Sequence, residues 1–193
     1  MIKNKILIRI NNLDEIKEYK KVGISNFLFA LDGFSVGYNT FTLEELKNIN
    51  ENVYLLINRA FDKNTLESFI KIKDEFNFIK GIFFEDIAVY QVLKNTNLNL
   101  IWNQNHAQVS YNSINFWLNK VFSSTLSNEL TKEEINDILD NVIKPVILPV
   151  FGLNMAMYSR RTLLTNYNNY INHHKLTNAN LKVGDIEFLA KES

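Results

Sequence analysis

The chain has 193 residues, 46 % of them hydrophobic and 22 % charged, which describes a globular protein and excludes bulk disorder. Its 21 basic residues are balanced by 21 acidic ones, so no broad polycationic surface exists for indiscriminate nucleic-acid binding. The absence of cysteine excludes disulfides, thiolate catalysis, cysteine-ligated zinc and cysteine-held iron–sulfur clusters.

The first apolar run, Ile6–Ile10, is too short for a signal sequence and is interrupted by Arg9. No run approaches the ~20 apolar residues of a membrane span, and the expected location is the cytoplasm. Ile6–Ile10 reads as a first strand, followed by a helical face of Leu13, Ile16, Tyr19 and Val22. Phe27–Leu31 is the second strand. A glycine-containing loop follows it, and Thr42 with Glu45 forms a capping box that opens a helix over Leu43–Ile49. Val53–Ile57 is the third strand, with Leu66, Phe69, Ile70 and Phe76 on the next helical face. Gly81–Phe84 and Leu98–Trp102 are the fourth and fifth strands, followed by Val89, Val92 and Leu93 and by Ile114, Trp117, Leu118 and Val121 respectively. Phe122–Leu126 is a weaker sixth strand, after which Thr131 and Glu134 cap a helix carrying Ile135, Ile138 and Leu139. Val146–Phe151 reads as the seventh, and Leu181–Leu189 supplies either a last strand or a terminal hairpin.

Strand starts about two dozen residues apart, with strands apolar on both faces, predict a parallel sheet covered by helices. So even a rhythm favours a (β/α)₈ barrel over an open doubly wound sheet. At 193 residues it would be a compact barrel, possible only with brief helices, and incomplete if the eighth unit is missing. The expected organisation is one domain over 1–193, with a barrel core at about 5–152 and a loop and C-terminal segment at 153–193.

Barrel chemistry sits at the C-terminal ends of the strands. Those positions hold Arg9 and Asn11, Asp32, Asn58 and Arg59, Glu85 and Asp86, Asn103, Gln104 and His106, and Ser127, Asn128 and Glu129. Strand ends also need polar residues to cap helices and satisfy the turning backbone, and Asp86 and Asn103 suit that role. Glu129 precedes a cap position already filled by Thr131, so its carboxylate is free to act as a general base or to bind a cationic group. Alternation along a strand points one of Glu85 and Asp86 inward and the other outward. The catalytic candidates are therefore Glu129, Glu85 and His106. Asn58, Asp86 and Asn103 are candidates for lining a substrate pocket. His173 and His174 are adjacent and cannot share one helix face, no metal-binding spacing occurs, and no metal or cofactor is assigned. After the seventh strand, Arg160 and Arg161 fall where late barrel loops bind phosphate, with Tyr158 and Tyr167 placed to stack on a ring.

Several stretches occur in the order of one known family. They are Leu31-Asp-Gly-Phe-Ser with Phe41-Thr-Leu-Glu-Glu-Leu, Val53–Asn58, Phe83-Phe-Glu-Asp-Ile-Ala-Val, Asn112-Ser-Ile-Asn-Phe-Trp, Asn128-Glu-Leu-Thr-Lys-Glu-Glu-Ile and Val150-Phe-Gly through Leu164. In these the chain resembles the collagenase-like peptidase family U32, in its short cysteine-free branch. Met155 and Thr162 stand where the signature usually has cysteines, Asn128 replaces an arginine, and Ser159-Arg160-Arg161 replaces Ser-Gly-Arg. The resemblance implies a protein named for peptidase activity. Its better-understood relatives take part in hydroxylation of RNA bases, including the tRNA wobble uridine, often as pairs of related subunits. Three functions follow as expectations. The first is RNA base hydroxylation with a related subunit, with phosphate held by Arg160 and Arg161. The second is peptide hydrolysis driven by Glu129 and His106. The third is a non-catalytic partner subunit.

Overall fold

The structure is a computed structural model that describes residues 5–104, 106, 108–152, 163–174, 182–183 and 186–187. The chain forms two compact units, Met1–Leu153 and Asn154–Ser193.

The first unit is built on one parallel sheet. Its strands are β1 (Ile8–Arg9), β2 (Asn26–Leu31), β3 (Thr40–Phe41), β4 (Asn52–Ile57), β5 (Gly81–Phe84), β6 (Asn99–Trp102) and β7 (Ser123–Ser124). They lie side by side in the order β1-β2-β4-β5-β6-β7, and β3 also pairs with β2, beyond the end of β1. Every pairing is parallel and the order never reverses, so this is the singly wound progression of a barrel and not the reversal of a doubly wound sheet. The sheet curls as a half-barrel, and among the described residues no pairing joins its last strand to its first.

Helices α1 (Glu15–Lys21), α2 (Leu43–Leu46), α3 (Lys63–Ile72), α4 (Ile87–Leu93), α5 (Tyr111–Leu118) and α6 (Lys132–Asn141) fill the connections, and a 3₁₀ segment, Lys73–Phe78, extends α3. Both capping boxes form: Thr42 with Glu45, and Thr131 with Glu134, each accept from and donate to the other's backbone or side chain. The strands' two faces build two cores. Phe27, Phe29, Leu55, Ile57, Ile82, Phe84, Leu100 and Trp102 pack with helix residues Leu46, Phe69, Val89 and Leu93. The alternate residues Ala30, Leu56, Phe83 and Ile101 cluster on the opposite, inner face. Burial on both sides explains why these strands read as continuous apolar runs. Gly81 is required by close approach: a Cβ there would stand 2.7 Å from the Asn99 carbonyl oxygen and 3.0 Å from the Tyr54 ring.

Two strands differ from expectation. Val146–Phe151 is not a strand; only Ile147 bridges to Thr125, while Val150 and Phe151 are exposed. Pro145 precedes the segment and Pro149 lies within it, and neither can donate to a ladder, so its apolar composition is not enough to extend the sheet. β3 arises in residues that sequence periodicity assigns to a loop, because two residues are too few to show alternation.

In the second unit, α7 (Leu163–His174) is followed by β8 (Lys182–Val183) and β9 (Ile186–Glu187), which pair antiparallel. Of the two alternatives for Leu181–Leu189, the hairpin is the one that forms.

Candidate functional site

The ladder register carries the inner face to the strand ends. Leu56, Phe83 and Ile101 stand in register, so Asn58, Glu85 and Asn103, two residues further on, occupy the same face at the rim. The backbone continues the pattern, with Glu85 N–H donating to Ile57 O and Asn103 N–H to Phe84 O.

Glu85 is the centre of the rim. Asn103 Nδ2 donates to its Oε1 at 3.0 Å, and Gln104 Nε2 donates to its backbone carbonyl at 3.1 Å. Burial among the ends of β5 and β6 raises its carboxyl from 4.5 to about 7, against the smaller opposing effects of the Asn103 hydrogen bond and the His106 charge. Near neutral pH the group can therefore give or take a proton.

The second part lies beside it. His106, in the loop between β6 and α5, places Nδ1 3.1 Å from Oε1 of Glu129. Glu129 N–H in turn donates to Ser127 Oγ, and the Thr131 cap begins α6 two residues later. Both side chains are exposed, at 58 % and 62 %, so the pair is open to a ligand and weakly coupled to stability. A carboxylate oriented on one imidazole nitrogen leaves the other nitrogen available for proton transfer. The loop carrying Asn103, Gln104 and His106 thus contacts both Glu85 and Glu129.

The other candidates have different surroundings. Asn58 is buried, and its amide exchanges two hydrogen bonds with the Val36 backbone, fixing the loop after β2. Asp86 caps α4 by accepting from Ala88 N–H and ties down the preceding connection by accepting from Phe61 N–H, each at 2.8 Å. Alternation has therefore separated Glu85, at the rim, from Asp86, at the helix. Asn103 is not a helix cap; Ser110 caps α5. Tyr167 is an exposed residue of α7 in the second unit. Tyr158, Arg160 and Arg161 lie outside the described residues.

Three further features lie outside the catalytic and pocket candidates, two of them at the strand-end positions Arg9 and Gln104. Gln104 holds the Glu85 backbone, a role its position beside Asn103 does not announce. Arg9 lays its guanidinium 4.0 Å over the Tyr38 ring. Gln108 Oε1 and Thr125 Oγ1 are buried without a hydrogen-bond partner among the described residues. The position of Thr125 two residues beyond Ser123, which pairs with inward Ile101, is the signal that could have found it. Gln108 lies in a loop and leaves no periodic trace.

Among the described residues, no three His, Asp or Glu side chains converge to hold a metal ion, and no helix is long and apolar enough to cross a membrane. Comparison with curated proteins and with solved structures yields no match. The profile of peptidase family U32 matches residues 11–177, a stretch that takes in the half-barrel from the start of its first connection, the whole acid–base rim and α7. A match over that much of the chain establishes its membership: the protein belongs to peptidase family U32.

Proposed function

We propose that this protein supplies the acid–base groups for hydroxylation of RNA bases, in tRNA, together with a related subunit, while a separate oxidising co-substrate provides the oxygen atom and takes up the two electrons. The observation that carries the reading is the rim itself: a carboxyl that is half-protonated near pH 7 stands next to an imidazole oriented by a second carboxylate. Such a set moves protons on and off a polarised ring at neutral pH, with general acid–base contributions of about 10²–10⁴-fold. Glu85 acts as acid, and His106 with Glu129 acts as base.

Peptide hydrolysis, the activity for which the family is named, is the second reading. It asks more of the site. An amide needs an activated nucleophile and charge stabilisation worth far more than acid–base help alone. Among the described residues, no hydroxyl is hydrogen-bonded to His106 that would serve as that nucleophile. With no net charge on the chain, RNA contact is local, through Arg160 and Arg161 with Tyr158 and Tyr167, or is shared with the subunit partner, and it weakens steeply with salt.

The test is mass spectrometry of nucleosides from digested cellular RNA, with and without the gene. Loss of one hydroxylated nucleoside, restored by the wild-type gene and not by Glu129→Gln, is the expected result. An unchanged profile, combined with cleavage of a peptide library by the purified protein, would replace this reading with the second.

A further inference from the structure

Glu85 has two carboxyl oxygens, and the structure treats them differently. Oε1 accepts a hydrogen bond from Asn103 Nδ2 at 3.0 Å, whereas no partner is assigned to Oε2 among the described residues. Asn103 is itself well placed to hold this contact. It is buried just past the end of the neighbouring strand β6, and its own N–H is fixed at 2.9 Å by the carbonyl oxygen of Phe84, the residue before Glu85. The next residue, Gln104, reaches back to the carbonyl oxygen of Glu85. Two consecutive amides at the end of β6 therefore grip the side chain and the backbone of one residue at the end of β5.

The chemistry of a carboxylic acid gives this grip a consequence. In the neutral acid, the carbonyl oxygen is the better acceptor and the hydroxyl oxygen is the donor. An N–H held at Oε1 selects it as the carbonyl oxygen. We propose that Asn103 is a positioning residue: by donating to Oε1 it assigns the exchangeable proton of Glu85 to Oε2 and fixes the direction in which that proton leaves and returns. This inference deepens the acid–base reading of the rim and rests on it for its catalytic meaning. The hydrogen-bond assignment itself can be tested separately. Asn103 touches no reacting atom in this scheme, and it acts through Glu85.

The test is a pH titration of the full chain by NMR between pH 4 and 9, following the Glu85 carboxyl carbon and the Asn103 side-chain amide, with Glu85→Gln as the assignment control. The Asn103 amide resonances are expected to move with the same midpoint as the Glu85 carbon and to lose that movement in Glu85→Gln. In Asn103→Leu, which removes the donor, the Glu85 midpoint is expected to shift upward, because the lost hydrogen bond favoured the ionised form. Asn103 amide resonances that stay still while Glu85 titrates would overturn the proposal. A downward shift in Asn103→Leu would also overturn it, since Asn103 would then be accepting the proton through its oxygen. The wild-type titration decides the question even where the leucine variant fails to fold. A Glu85 midpoint in the ordinary carboxylate range, still tracked by Asn103, would uphold the positioning role and remove the acid assigned to Glu85 above.

Discussion

Replacing Glu85 with glutamine isolates the energetic cost of keeping a carboxyl at the rim. The amide oxygen of glutamine can still accept from Asn103 Nδ2, so shape and hydrogen bonding are conserved while the titration is removed. In the wild type the carboxyl moves from 4.5 in the unfolded chain to about 7 in the fold. Below pH 4.5 the group is protonated in both states and costs nothing. Between 4.5 and about 7 the unfolded chain releases the proton and the folded one keeps it, so stability falls as pH rises. Above about 7 both states are ionised and the loss is complete. At 1.36 kcal/mol per pKa unit, the full loss is about 3 kcal/mol. Urea unfolding of wild type and Glu85→Gln at a series of pH values provides the assay, since the difference between them cancels the other titrating groups. The wild type is expected to lose about 3 kcal/mol relative to the variant from pH 4.5 to pH 8 and little beyond. A difference that is flat across this range, or that favours the wild type as pH rises, would refute the reasoning.

Other perturbations probe other parts of the frame. Asn58→Ala strips both partners from the buried Val36 amide and carbonyl and is expected to cost about 2–4 kcal/mol by urea unfolding; a loss below ~1 kcal/mol would show that the loop finds other partners. Gly81→Ala forces a Cβ against the Asn99 carbonyl oxygen and is expected to destabilise by about 1–3 kcal/mol, whereas a melting temperature within about 1 °C of wild type would show that β5 and β6 part freely. Thr125→Val removes a buried hydroxyl without a described partner and is expected to leave stability unchanged or raise it by up to ~1 kcal/mol; a comparable loss would reveal a partner for Oγ1.

Much of this arrangement was legible from residue order alone. Strands buried on both faces, such as Leu55–Ile57 and Ile82–Phe84, leave an apolar run that needs no tertiary knowledge to find. The two capping boxes are local chemistry and formed where their residues stood. The meeting of His106 with Glu129 is not local, because it joins residues 23 apart across two strand ends. Both residues were candidates by position, but only the fold could bring their side chains to one point. Asn58 shows the opposite case. Its residue type and strand-end position suit a pocket equally well, and two buried hydrogen bonds with Val36 commit its amide to the backbone. Val146–Phe151 reads as a strand because apolar content is additive along a chain, whereas the missing N–H of Pro149 acts at one position and stops the ladder there.

The short outer strands have a consequence for how other chains can approach. Among the described residues, the edge on one side of the sheet is divided between β1 and β3, each of two residues, and on the other it is β7, also of two residues. Beside β7 lies the Pro145–Pro149 stretch, which offers Thr125 a single bridging residue, Ile147. A foreign strand seeking to lengthen this sheet would find too few unpaired amides to register against, and prolines in its path. Among the described residues the sheet thus ends without closing and still resists edge-to-edge growth into aggregates. Any chain that docks on this sheet would have to be recognised by side chains across a face, where shape and charge can discriminate, since backbone pairing at these short edges is disfavoured.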